Sequence, residues 1–263
     1  MEENRMTFGG HLEVMRRMLF RILAVVLVLA IVIFCFKEQT FTLLLAPGNW
    51  DFVTYRAIER LLHRMGLGFT FNEFHVNLIA TDLSSQFMTH ITTALLLGLL
   101  GASPYILFEL YRFITPALYA HEKKHSVQIA VTVYLLFVLG VLMSYYVLFP
   151  VSFRFLGTYS VSETVESNIT LNSYIRTFTT LTFVMGLVFQ LPILALLLGK
   201  MGIIHSSLML KYRKYAVLAI LLLAAIITPP DLMTLCLVAL PLYLLYEVSR
   251  ILLKRVEKRK NKT

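Results

Sequence analysis

Residues 121 to 125 read HEKKH, the one spacing in this chain that suggests metal chemistry. On a helix, His121 and His125 would share a face four residues apart and bind zinc, with Glu122 as general base for the bound water. A membrane-embedded zinc protease is therefore one class to weigh. Three features count against it. Lys123 and Lys124 add two positive charges beside a dication. The motif lies in a polar loop at the mouth of an apolar segment rather than in a dry site. No second motif supplies another ligand, because Glu163, Glu166 and Asp231 fall on the opposite side of the membrane. No metal and no other cofactor is expected.

The elements around this loop are apolar. Hydrophobic residues make up 58% of the 263 and charged residues 15%, with a mean hydropathy of +0.74. Soluble domains run nearer 45–50% apolar and about 25% charged. The composition identifies an all-α integral membrane protein, since helices satisfy their own backbone in lipid. One domain, 1–263, is expected, with helices near 18–36, 87–108, 127–149, 178–198, 213–228 and 232–249. A long external loop spans 38–86 and a basic tail 250–263. Cys35 and Cys236 fall inside apolar runs without metal-ligand spacing and are expected as buried small hydrophobes. The net charge of +9 sits on residues flanking apolar runs, which is a membrane pattern rather than a nucleic-acid groove.

Arginine and lysine set the orientation. One side would carry Arg5, Arg16, Arg17, Arg21, Arg112, Lys123, Lys124, Lys200, Lys211, Arg213, Lys214 and the basic tail. The other would carry only Lys37, Arg56, Arg60, Arg64, Arg154 and Arg176. The bias predicts both termini in the cytoplasm. MRRMLFR before the first helix has the look of a twin-arginine export signal, but the apolar run is long enough to span and no small-residue cleavage site follows before Lys37. These arginines read as topological anchors. Phe8, Leu12, Met15 and Leu19, at helical spacing, predict a short helix on the cytoplasmic interface.

In the external loop, Phe52, Tyr55, Ile58, Leu62 and Met65 form one helical stripe, which Asp51 would cap and Gly66 or Gly68 would end. FTFNEFHVNLI, 69 to 79, alternates like an extended segment. Pro104, Pro192 and Pro241 should bend their helices. The last two apolar runs, Tyr215–Thr228 and Leu232–Tyr246, are 14 and 15 residues long. That is about 22 Å of helix against a hydrocarbon core of roughly 30 Å. Asp231 follows Pro229 and Pro230 between them and reads first as the cap of the sixth helix. Gln190, a neutral amide in the fourth apolar run beside Pro192, needs either a partner helix or the backbone that Pro192 frees.

Several stretches resemble the TatC family, the signal-receptor subunit of the twin-arginine protein translocase. FELYRFITPALYAHEKK, 108 to 124, resembles its first cytoplasmic loop. HLEVMRRML, 11 to 19, resembles the amino-terminal HLxELRxRL, and LAP, 45 to 47, the proline-bearing start of the first periplasmic loop. MGLVFQLPIL, 185 to 194, is similar to the fourth-helix FGxxFxLP pattern. KYRKYAVLAILLLAAIITPPD and ALPLYLLYE resemble the last two helices. The matches keep their order over almost the whole chain.

The resemblance implies six transmembrane helices in a concave, glove-like bundle whose last two are shorter than the bilayer. It implies a binding protein rather than an enzyme, placed in the cell inner membrane. It would bind twin-arginine signal peptides of folded cargo, self-associate, and recruit single-helix partners of the TatA and TatB type for export driven by the proton motive force. Carried over residue by residue, it gives Glu122, Arg16, Phe113, Glu109 and Glu13 to signal-peptide binding. Gln190, Asp231 and Pro47 go to partner docking or transport. One departure matters. Where the family has its amino-terminal glutamate this chain has Val14, with Glu13 one residue earlier, a turn of about 100° on a helix. A small-solute transporter would need inverted repeats and a charged residue near mid-membrane, and neither is evident.

Overall fold

A computed structural model describes residues 8–66, 73, 74, 76–114, 126–160, 162, 168–229 and 231–260. Two compact units emerge, 1–41 with 86–135, and 42–85 with 136–263. Among the described residues almost everything regular is helical. Four helices are long and apolar enough to cross a membrane: Leu12–Cys35, Ala130–Thr158, Leu171–Lys200 and Leu232–Lys258. A bent pair, Ser85–Gly101 with Ser103–Leu110, adds a fifth if it acts as one span. Large apolar side chains such as Phe20, Leu23, Val28, Leu222 and Ile226 are exposed, as a surface solvated by lipid requires.

In the first unit, α1 (Phe8–Cys35) is one unbroken helix. The expected interfacial helix has merged with the first span, because nothing between Leu12 and Leu19 breaks a helix and the stripe simply continues. Helix α2 (Lys37–Leu45) follows. α4 (Ser85–Gly101) and α5 (Ser103–Ile114) meet at a 51° bend. Pro104 accounts for the bend, as it has no N–H to give the preceding turn. Packing is close: a Cβ added to Gly98 would lie 2.9 Å from both the backbone nitrogen and the Cβ of Ala30. His90 stacks on Phe34 with ring centroids 4.1 Å apart.

The second unit begins with a 3-10 turn, Ala46–Gly48, and α3 (Val53–Arg64). Gly66, at φ +79°, ends α3 as expected. Asp51 does not cap it. Phe52 holds the cap position without a side-chain bond, and Asp51 pairs with Arg56 instead. Of the predicted extended segment, 69 to 72 and 75 lie outside the described residues. Its end forms β1 (Leu78–Ile79), parallel to β2 (Ile169–Thr170).

Beyond α6 (Ser126–Met143), a π-helical turn, Ser144–Leu148, leads into α7 (Phe149–Thr158), so the third span continues past its expected end at 149. The fourth is α8 (Leu171–Val188) and α9 (Leu191–Lys200), interrupted where Pro192 starts a new helix. Gly140 lets α6 touch α8: an added Cβ would meet the Met185 carbonyl oxygen at 2.5 Å. Phe149, Phe153, Tyr174 and Phe178 form an aromatic cluster with centroids 4.9 to 5.8 Å apart.

α10 (Ser206–Lys211) and α11 (Arg213–Ile227) follow. α11 has 15 residues, about 22 Å, so it is shorter than the bilayer core. α12 (Leu232–Lys260) has 29. Unlike α11 it includes a stretch long and apolar enough to cross a membrane, Leu232–Lys258, and the helix runs on through residues expected to form a separate tail, because Glu247 and Glu257 anchor that extension. Glu247 pairs with Arg213 and Arg250, both at 2.9 Å. Glu257 accepts from the Ser206 backbone N–H at 2.8 Å. Pro241 lies inside α12. The cysteines correct the sequence reading: Cys35 and Cys236 are both exposed on the apolar outer surface rather than buried.

Candidate functional site

The N-terminal half of α1 carries the most chemistry. Leu12, Met15, Leu19 and Leu23 recur at three- and four-residue steps, and Glu13, Arg16 and Phe20 run beside them. Together these seven line an open groove of about 630 Å³ along one helix face. Met18 points the other way and is buried. Glu13 accepts a hydrogen bond from Arg17, one turn on. Both side chains are at least half exposed, so the pair stabilises little, under about 1 kcal/mol. Its interest lies in position: the shifted glutamate lies on the groove beside Arg16.

One turn beyond Arg17, Arg21 reaches α5. Its Nη2 donates to Glu109 Oε2 at 3.0 Å. The hydroxyl of Tyr105, one turn before Glu109, donates to Oε1 at 3.1 Å. The Glu109 side chain is only 6% exposed, and that of Arg21 is 51% exposed. A carboxylate this buried requires a cation or donors, and here it has both. The bend at Ala102 directs α5 so that Glu109 meets α1. Thus Glu13, Arg16 and Glu109 lie along or against the same half-helix. Phe113 falls in the last turn of α5 with its side chain outside the described residues. Glu122, with the whole HEKKH motif, lies outside them too. Among the described residues, no group of three His, Cys, Asp or Glu side chains is arranged to hold a metal.

The second unit holds the other candidates. Asp231 is the cap expected of it: Oδ1 accepts from the Thr234 backbone N–H at 2.7 Å, and Oδ2 accepts from the Thr234 hydroxyl. It also lies on a cavity of about 590 Å³ with Phe155, Leu156, Tyr159, Leu232, Met233 and Cys236. Gln190 occupies the junction of α8 and α9 rather than mid-helix. Its carbonyl accepts from the N–H groups of Ile193 and Leu194 at 3.1 and 3.0 Å, restarting the helix around Pro192. Pro47 is buried in the 3-10 turn.

Sequence reading missed Arg21 and Tyr105 as members of the site. Arg21 was one more topological arginine, and its partner is 88 residues away. It also missed Tyr55 and Arg154. The Tyr55 hydroxyl donates to the carbonyls of Pro150 and Pro47 at 2.8 and 3.3 Å. Burial pushes this phenol well above the usual tyrosine range, with Arg154 pulling partly back. The Arg154 guanidinium lies 5.1 Å from the Tyr55 ring centroid and 4.6 Å from that of Phe74.

Comparison with known proteins supplies an independent reading. Residues 10–241 match the family model described as Sec-independent protein translocase protein (TatC). The Sec-independent protein translocase protein TatC of Blattabacterium sp. subsp. Periplaneta americana is 33% identical over 263 residues, 98% of this chain and 99% of that protein. The protein of the same name from Escherichia coli (strain K12) is 30% identical over 239 residues, 91% of this chain and 84% of the relative. A crystal structure titled twin arginine translocase receptor TatC superposes with a TM-score of 0.74 at 30% identity, covering 93% of this chain and 98% of the other.

Proposed function

The chain belongs to the TatC family of Sec-independent protein translocase proteins, and from that premise we propose that it is the receptor and core subunit of a twin-arginine translocase. It binds the twin-arginine signal peptide of a folded cargo and, with small single-helix partners, mediates export driven by the proton motive force. It works by binding rather than catalysis. It resides in the cell inner membrane with six spans and both termini in the cytoplasm. The short α11 and the apolar part of α12 are the fifth and sixth.

The observation that carries this reading is the carboxylate set against the amino-terminal half of α1. A peptide with two guanidinium groups needs carboxylates able to form charge-assisted hydrogen bonds, and an apolar surface for the segment that follows. Glu13 lies on the apolar groove and Glu109 is one helix away. Glu122 supplies a further carboxylate and Phe113 an aromatic contact for the signal. Arg16 holds the groove's polar end. Gln190, Asp231 and Pro47 serve partner docking or transport.

The test is binding of the purified, detergent-solubilised chain to a labelled twin-arginine peptide, with a twin-lysine peptide as control. Selective binding of the arginine peptide that Glu122→Ala weakens supports the receptor. Absent selectivity, together with stoichiometric zinc lost on His121→Ala, would replace it with the protease.

A further inference from the structure

We propose that Arg21 is an internal stand-in for a signal-peptide guanidinium, occupying Glu109 until the peptide displaces it. The proposal rests on the receptor reading above and adds a residue that sets its affinity and selectivity.

The two partners of this ion pair are unequally enclosed. Glu109 is fixed and enclosed, at 6% exposure, with Tyr105 holding one carboxylate oxygen at 3.1 Å. Arg21 holds the other oxygen at 3.0 Å from a side chain half exposed to its surroundings. A buried carboxylate stripped of its cation is unfavourable, so this one is always paired. Its present partner, however, has an open path away. Arginine's long stem lets the head group swing out while its methylenes stay on the helix surface.

Position supports exchange. Arg21 directly follows Phe20 in the chain, and Phe20 lines the apolar groove. One turn earlier, about 6 Å along the axis, Arg17 holds Glu13, which lies a further turn back. Both carboxylates described at this end of α1 are thus already answered by the chain's own arginines. An incoming guanidinium gains a place only by replacing one of them. Replacing guanidinium by guanidinium preserves the planar, multi-donor geometry that the carboxylate and Tyr105 already accommodate. A lysine ammonium is a strongly hydrated point charge without that geometry and displaces Arg21 poorly. Competition by an internal arginine therefore lowers affinity for every basic peptide, and most for those without arginine.

The experiment uses the full chain in detergent, with labelled twin-arginine and twin-lysine peptides. Arg21→Gln should bind the twin-arginine peptide on the order of tenfold tighter, a change of 1.4 kcal/mol. Arg21→Lys, which keeps the charge but competes less well, should fall between it and the parent. Glu109→Gln should lose discrimination between the peptides, and Arg21→Gln should bring no gain in that background. Arg112→Gln, which removes an exposed cation from α5, controls for net charge. A gain in Arg112→Gln equal to that in Arg21→Gln overturns the proposal in favour of bulk electrostatics. Unchanged or weaker binding by both Arg21 variants, with a selective parent chain, overturns it and leaves the receptor standing. A parent without selectivity removes the receptor reading, and this proposal with it.

Discussion

The hydroxyl of Tyr55 on α3 donates to the carbonyl oxygen of Pro150 on α7 at 2.8 Å, across 95 residues of sequence. This bond fastens the amphipathic helix of the long loop to the third span. Tyr174 does the same for the segment before it, donating to Leu44 at 2.9 Å, and Tyr145 donates to Leu43 at 2.8 Å. Tyr55 and Tyr174 are buried, so their hydroxyls need partners, and these carbonyls supply them.

Tyr55→Phe removes that bond while keeping the ring. The Pro150 carbonyl still has its place in a helix, so the cost is about 1 kcal/mol, read as a lower thermal unfolding midpoint in detergent. The pH dependence has a definite sign. Burial raises the folded-state pKa of this phenol above its unfolded value, near 10. Its stabilisation is therefore complete below about pH 10 and is lost as pH rises above that. The parent should lose stability more steeply than Tyr55→Phe in that range.

Gly140→Ala forces a methyl group to within 2.5 Å of the Met185 carbonyl oxygen. Backbone cannot swing aside, so α6 and α8 must separate, at a cost of about 1–3 kcal/mol. Gly101→Ala, where the nearest atom is a leucine methyl at 3.7 Å, should leave the midpoint unchanged. Equal behaviour of the two variants would contradict the close approach described here.

Asp231 separates into a cap and a charge. Asp231→Ala loses the bond to Thr234 and should destabilise by about 1 kcal/mol. Asp231→Asn keeps an acceptor for the same N–H and should melt near the parent. If export in cells falls equally in both variants, the charge serves transport. If export follows stability, the residue is a cap alone.

Arg154→Lys keeps a positive charge but exchanges a planar group lying against two rings for a compact ammonium. The loss is on the order of 1 kcal/mol. Hydrogen exchange should report it locally, with faster exchange across α3 and little change in α11 and α12.

Much of this was legible from residue types. Apolar runs marked the four helices that are long and apolar enough to cross a membrane, and the bent pair beside them, because lipid demands long uninterrupted apolarity. Gly66 announced its helix end, and Asp231 its cap. Boundaries between continuous and broken helices were less legible. Phe8–Cys35 reads as two pieces on polarity, yet no residue there interrupts the backbone. The last helix reads as ending where its charges begin, yet Glu247 and Glu257 hold those turns against α10 and α11. The cysteines misled because apolar surroundings suggest a core, while in a membrane the outer surface is apolar too. In the candidate site, Glu13 and Arg16 were visible as a motif. Arg21 was not, since its role depends on a bend at Ala102 that brings Glu109 to it.

The π-helical turn at Ser144–Leu148 acts as a phase shifter. It holds an extra residue relative to α-helical winding, so every side chain after it is rotated by about 100° from where an uninterrupted helix would place it. Phe149 and Phe153 reach Tyr174 and Phe178 only in the shifted phase. The Tyr146 carbonyl within the turn also accepts the hydroxyl of Thr54. Deleting one residue here would restore regular winding while turning that aromatic face away from its partners. For this span, reading frame along the helix matters more than composition: a conservative deletion should be worse than most substitutions.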